Sequence, residues 1–363
     1  MRKICCLILL LLTLTGLARA EDLVDRSFSA VDGAAVENAL PEEARDLLGD
    51  TGIARDFDFA GSLRALVLRA WDRVRGAVRN SLAGGVRLFA VSALFAAASA
   101  YTEHLQRELR LAGVLAVTLT ALGDVQTLLG LGRETVTSLS AFGRVLMPVL
   151  AASAAASGAV SYAGGVYTAV MFVIDVLISL LAELMLPLIW AYLALVTACS
   201  VTGNEGLGQL AKSLKNGITL ALRITLGLFV CYLAASGLVS GTTDAMAVKT
   251  VKLALSTAIP AAGSVMADAA EAVVAGAGLV RTVTGSFGIL GIIATALLPL
   301  LRLGLQYLLF RTAAILSAVA GAEGLSRQLE GIGNAFSLVL TLTGSGTALL
   351  LMGVFVAAAG VRV

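Results

Sequence analysis

From Val145 to Ile174 the chain carries no charged side chain, and the same holds from Leu184 to Asn204, Ile224 to Thr243, Thr282 to Leu301 and Gly331 to Val361. Leu88 to Thr102 is another such run, and Leu111 to Gly132 contains only Asp124. A helix crosses the hydrocarbon of a bilayer in about 20 residues, and lipid tolerates only backbone that satisfies its own hydrogen bonds. Composition agrees. Of 363 residues, 58% are hydrophobic and 14% charged, and mean hydropathy is +0.92. A soluble domain carries about 25% charged residues. The expected fold is therefore an all-α polytopic membrane protein, a bundle of about seven to ten transmembrane segments. Abundant Gly and Ala suit close helix packing.

Several function classes fall away. Net charge is only +2, so no basic field for nucleic acid is expected. The single histidine, His104, sits in a short charged loop and builds neither a metal site nor a catalytic triad. No phosphate-binding Gly-rich loop occurs. The expectation is a protein that is not an enzyme, with no cofactor and with membrane lipid as its first partner. Cys199 and Cys231, in separate apolar runs, read as small buried hydrophobes.

The amino end has three parts: Met1-Arg2-Lys3, the apolar run Ile4 to Leu12, and Ala18-Arg19-Ala20. This is a secretory signal pattern over 1–20, which would carry away Cys5 and Cys6. Cleavage would leave 21–60 as an acidic extracytoplasmic segment. Residues 61–87 then turn basic, with Leu63, Leu66, Val67, Ala70, Trp71 and Val74 at helical spacing. They read as an amphipathic helix, either solvated or lying on anionic lipid. The positive-inside rule would set this stretch in the cytoplasm, against the sidedness that cleavage implies. First transmembrane helices follow over 88–144.

Two stretches echo one another. Pro148 and Pro187 are spaced as Pro260 and Pro299 are, and Gly203-Asn204-Glu205-Gly206-Leu207 matches Gly321-Ala322-Glu323-Gly324-Leu325. We read an internal duplication of about 112–118 residues, repeat 1 at 145–243 and repeat 2 at 257–361, with the four prolines as hinges or breaks. Val166–Ser200 and Gly285–Ala320 each read as two helices in a hairpin, or a pair with a broken centre. The two Gly-x-Glu-Gly-Leu loops should share a side if each unit has an even number of spans.

An ionised group in hydrocarbon costs at least about 2.5–3.5 kcal/mol, so intramembrane charges mark candidate sites. Asp175, Glu183, Asp268, Glu271 and Arg311 are the candidates for structural ion pairs or a conduction path, with Asp175–Arg311 the expected pair between repeats. Ser153, Ser157 and Ser161 fall at i, i+4, i+8 and form a polar stripe for helix packing or a pore lining.

At Ile259-Pro260-Ala261-Ala262-Gly263, Ala267-Asp268-Ala269-Ala270-Glu271, Val280-Arg281 and Gly285 the chain resembles the stage III sporulation protein AE family of endospore-forming bacteria. The order of leader, acidic segment and long polytopic region agrees. The resemblance implies a place in the mother-cell membrane around the forespore. It also implies partners among the other proteins of the stage III sporulation operon and on the forespore side, in a secretion-like channel supporting late forespore gene expression. No catalytic residue carries over. The alternatives are a stand-alone secondary transporter of a small solute and a non-conducting membrane scaffold.

Overall fold

A computed structural model describes residues 33–49, 58–101, 106–156, 160–235 and 283–359, and among these every element is helical. In chain order they are α1 (Gly33–Asn38), α2 (Glu42–Leu48), α3 (Phe59–Tyr101), α4 (Gln106–Ala156), α5 (Val160–Leu180), a π-helical turn (Leu181–Met185), α6 (Leu186–Thr202), α7 (Glu205–Ala235), α8 (Val283–Val319) and α9 (Glu323–Ala359). Leader residues 1–20, and Pro260, Asp268 and Glu271, lie outside the described residues.

Five helices are long and apolar enough to cross a membrane: Leu111–Leu150, Ala169–Thr202, Glu205–Ala234, Gly285–Val319 and Glu323–Val356. They run 30 to 40 residues, or about 45–60 Å at 1.5 Å per residue, against about 30 Å of hydrocarbon. The five are counted among the described residues alone, and the expected seven to ten were counted over the whole chain. Val166–Ser200, read from sequence as two helices, lies within one long rod.

The prolines show this directly. Val160–Thr202 is a continuous rod, not a hairpin, and Pro187 follows its π turn. Proline lacks an N–H and its ring presses on the carbonyl four residues back. Widening the turn at Leu181–Met185 gives that carbonyl room without ending the helix. Pro148 lies inside α4 and Pro299 inside α8, so neither ends its helix.

Tight turns come from glycine. Gly203, with φ 69°, stops α6 and donates its N–H to the Cys199 carbonyl, and Asn204 Oδ1 accepts the Gly206 N–H at 2.8 Å to open α7. Gly321, with φ 86°, does the same between α8 and α9.

Helix α9 is the centre of the bundle. It packs antiparallel on α8, where Phe310 and Phe336 meet with ring centroids 5.0 Å apart. It runs parallel to α4, since Gly132 abuts Val339 and Gly143 abuts Leu350. It runs antiparallel to the α5–α6 rod, since Gly331 abuts Val196 and Gly353 abuts Ile174. It runs parallel to α7, where Lys215 reaches Asn334. Each glycine sits where a side chain would collide with its neighbour, which lets the backbones approach. At the other end of the contacts, Gly113 lies against both Phe95 and Leu325. The end of α3, the start of α4 and the α6–α7 and α8–α9 turns therefore stand at one end of the bundle. The two hairpins run the same way, and their Gly-x-Glu-Gly-Leu turns share that end.

The basic stretch 61–87 is the first half of α3. Its inner face, Leu66, Ala70 and Val74, is buried. Helix α2 docks there: Leu47 packs with Ala70, Val74 and Leu298. Arg69 donates to the carbonyls of Leu47 and Leu48 at 2.9 and 2.7 Å, satisfying the exposed end of a short helix with a cation where its dipole is negative. Asp46 pairs with Arg73 at 3.0 Å and Glu43 with Arg302 at 3.3 Å.

Candidate functional site: a polar seam between two hairpins

Between α6–α7 and α8–α9 the apolar packing is interrupted. On α9, Glu330, Asn334, Ser337, Thr341 and Ser345 recur at spacings of three and four, so they share one helical face. Gly331 against Val196, and Asn334 against Lys215, turn that face toward α6 and α7. Lys215 Nζ donates to Asn334 Oδ1 at 2.9 Å. The hydroxyl of Tyr192, buried on α6, hydrogen-bonds the same amide. One asparagine thus joins three helices. Arg311 of α8 pairs with Glu330 of α9, and both charges are close enough to act on Lys215.

Farther along the same face the polarity continues into the core. Thr341 bonds back to the Ser337 carbonyl, while the fully buried Ser345 hydroxyl has no hydrogen-bond partner. Thr343, against Gly132 on the α4 side, and the Gln328 carbonyl oxygen are likewise buried without partners. Gln328 does donate, to Thr118 and to the Val114 carbonyl. Unpaired buried polar atoms cost about 1–3 kcal/mol each, so a helix that carries three of them gives up stability for polarity.

A second polar contact crosses α4 and α8, where Gln306 Nε2 donates to Asp124 at 2.9 Å. A third joins α4 to α5. Asp175 accepts from Arg144 at 2.7 Å and from Ser140 at 3.0 Å.

That third contact corrects the expected Asp175–Arg311 pair. Each residue has a nearer partner: Asp175 takes Arg144, and Arg311 takes Glu330. Both pairs are local to a hairpin. In an antiparallel hairpin, residues equally distant from the turn come face to face, and 144/175 and 311/330 are such couples. Glu183 lies exposed in the π turn. Ser153 is near the end of α4 and Ser161 near the start of α5, in helices that run oppositely, so the expected single-helix stripe is divided; Ser157 lies outside the described residues. Cys199 is half-buried and Cys231 exposed, not both buried as expected, because an apolar run in a membrane bundle has a lipid face as well as a core.

Sequence reasoning missed Tyr192, Asn334 and Ser345. The signal was present: the 331–361 run is free of charge but not of polarity, and Asn334, Ser337, Thr341 and Ser345 keep one face. Among the described residues no cluster of His, Cys, Asp and Glu could hold a metal ion.

A family model described as stage III sporulation protein AE matches residues 88–360. A stage III sporulation protein AE of Bacillus subtilis (strain 168) is 26% identical over 202 residues, which cover 55% of this chain and 51% of that protein. The match thus spans about half the length of that curated relative. No solved structure matches the chain.

Proposed function

Because the chain belongs to the stage III sporulation protein AE family and so has a role in sporulation, we propose that it is a membrane-embedded component of a channel or secretion-like complex between mother cell and forespore. It would act in the mother-cell membrane, with the other products of its operon and a partner on the forespore side, and support late forespore gene expression. One observation carries the conduit reading. The polar seam lies between two hairpins that run in parallel, and repeated units of transporters commonly place their path at such an interface. The seam brings a cation, an ion pair, an amide and a phenol into an otherwise apolar bundle.

Its groups suit passage or gating rather than covalent chemistry. Lys215 and Arg311 offer positive charge to an anion or to a polar peptide backbone. Glu330 balances them, and Asn334 holds the three helices in register.

The matching hairpins are also what a duplication of 145–243 and 257–361 would leave, with Pro187 and Pro299 in the first helix of each. Asp175, with its partner close by, fits a structural ion pair better than a path. Asp268 and Glu271 remain path candidates from sequence.

The test is complementation. Lys215→Met, Glu330→Gln and Asn334→Leu would each be expressed from the native locus and scored for a late forespore reporter and for protein level. A conduit loses the reporter at normal protein level. Full reporter activity in all three variants refutes the seam as a path and leaves the scaffold reading.

A further inference from the structure

The helices that flank the seam carry positive charge almost without an acid to answer it. On α7, Lys212, Lys215, Thr219 and Arg223 follow at spacings of three, four and four, so they lie along one side of the helix. The only acid of α7 is Glu205, in its first turn. Helix α8 carries Arg302 and Arg311 and no acid at all. Arg302 is held by Glu43 of α2, which leaves Arg311 for the seam. Past its own first turn, α9 offers one carboxylate, Glu330.

That carboxylate is already engaged. Glu330 accepts from Arg311, and among the described residues no carboxylate pairs with Lys215. Glu330 does act on Lys215 through space, but so does Arg311, with the opposite sign. Lys215 is half-buried and has three hydrogens to donate, of which one goes to the Asn334 amide oxygen at 2.9 Å. The Arg311 guanidinium has donors beyond the Nη1 that meets Glu330. Ser337, half-buried and one turn past Asn334 on the same face of α9, has a hydroxyl with no hydrogen bond among the described residues. Asn334 supplies no charge, and the Tyr192 hydroxyl shares it. The seam thus keeps one positive charge unanswered beside several unfilled donors. A charge withdrawn from water needs a counter-charge.

We propose that the seam binds an oxyanion of the phosphate class, held by the Lys215 ammonium and the Arg311 guanidinium around Asn334, with the Ser337 hydroxyl as a further donor. Charge-assisted hydrogen bonds from lysine and arginine to phosphate oxygens are short and strong. A phosphate monoester carries about −1.5 to −2 charges at pH 7, which suits a pair of cations better than a carboxylate or chloride does. Lys212 and Arg223 extend the positive field along α7 and would draw the anion in. The fully buried, unpartnered Ser345 hydroxyl, two turns beyond Ser337, carries polarity farther along the face. This names the charge class admitted by the conduit proposed above and rests on that reading. Phosphate can reach the seam from water or as the headgroup of an anionic phospholipid, and the chemistry at Lys215 is the same.

The test is direct binding. The purified chain in phosphatidylcholine nanodiscs is titrated with inorganic phosphate at constant ionic strength, set with chloride, and binding is read by calorimetry. It should be saturable, about tenfold or more weaker in Lys215→Met, and retained in Lys215→Arg. Ser337→Ala, which removes one oxygen, should bind several-fold more weakly. Arg133→Met, which removes an exposed cation from α4, should bind as the parent does. Native mass spectrometry from nanodiscs containing phosphatidylglycerol separates the sources. That lipid retained by the parent and lost in Lys215→Met assigns the site to a headgroup, and equal retention by both assigns it to a soluble phosphate. No saturable phosphate binding by the parent, or equal binding by Lys215→Met, overturns the proposal. The late forespore reporter reads the conduit independently. A reporter lost in Lys215→Met with phosphate binding intact keeps the path and removes the anion site, whereas lost binding with a full reporter keeps the anion site and removes the path.

Discussion

Two glycines two residues apart on α4 should respond oppositely to the same substitution. Gly130 faces open space, whereas a Cβ at Gly132 would collide with Val339 of α9. Alanine stabilises a helix interior by about 1 kcal/mol relative to glycine, so Gly130→Ala should be neutral or stabilising by up to that amount. Gly132→Ala gains the same propensity but meets a β-branched side chain, which has no free rotamer to swing aside. Overpacking of this kind costs about 1–3 kcal/mol. The net effect at 132 is a loss of about 0–2 kcal/mol, and the two variants should differ by about 1–3 kcal/mol. Thermal unfolding in a mild detergent, followed by the fraction remaining monodisperse, reads the difference. Equal midpoints, or a higher one for Gly132→Ala, would refute the packing of α4 on α9.

Exchanging the charges in Arg144→Asp with Asp175→Arg should recover most of the stability that either single change removes; no recovery would mean the two do not pair directly in the membrane. Asn334→Leu strands the Tyr192 hydroxyl and the Lys215 ammonium, and should cost about 1–3 kcal/mol per stranded group in the same unfolding assay, whereas an unchanged midpoint would show that the seam is wet. Arg69→Met removes two donors from the end of α2. Hydrogen exchange should then rise across 42–48 and stay the same elsewhere, while uniform protection would show that α2 holds without its cap.

The sequence made the fold class plain because lipid imposes a length and a polarity on every span, and charge-free runs record both. It did not show how far each helix would run past the hydrocarbon thickness. Pro187 and Pro299 are strong stop signals in water, yet a π turn absorbs one and a continuous helix carries the other. Interior charges were recognised but mispaired. Asp175 and Arg311 were matched as the two deepest charges, whereas distance from the nearest turn decides partners in a hairpin, as Arg144 and Glu330 show. The seam was hidden for another reason: Asn334 and Ser345 are uncharged, and a search for charges passes over them. Only the facing of α9 on α6 and α7 gives them a common direction. Conversely, Gly203 and Gly321 were readable at once, because each opens a Glu-Gly-Leu step and each takes a left-handed φ that side chains resist.

The parallel run of the two hairpins can be measured in sealed membranes. Single cysteines at Asn204 and Ala320, one in each turn, would be offered a thiol reagent that does not cross lipid, first to right-side-out and then to inverted vesicles. Both sites should react in the same preparation and be protected in the other. Reaction from opposite sides would contradict the hairpin arrangement and, with it, the seam between them.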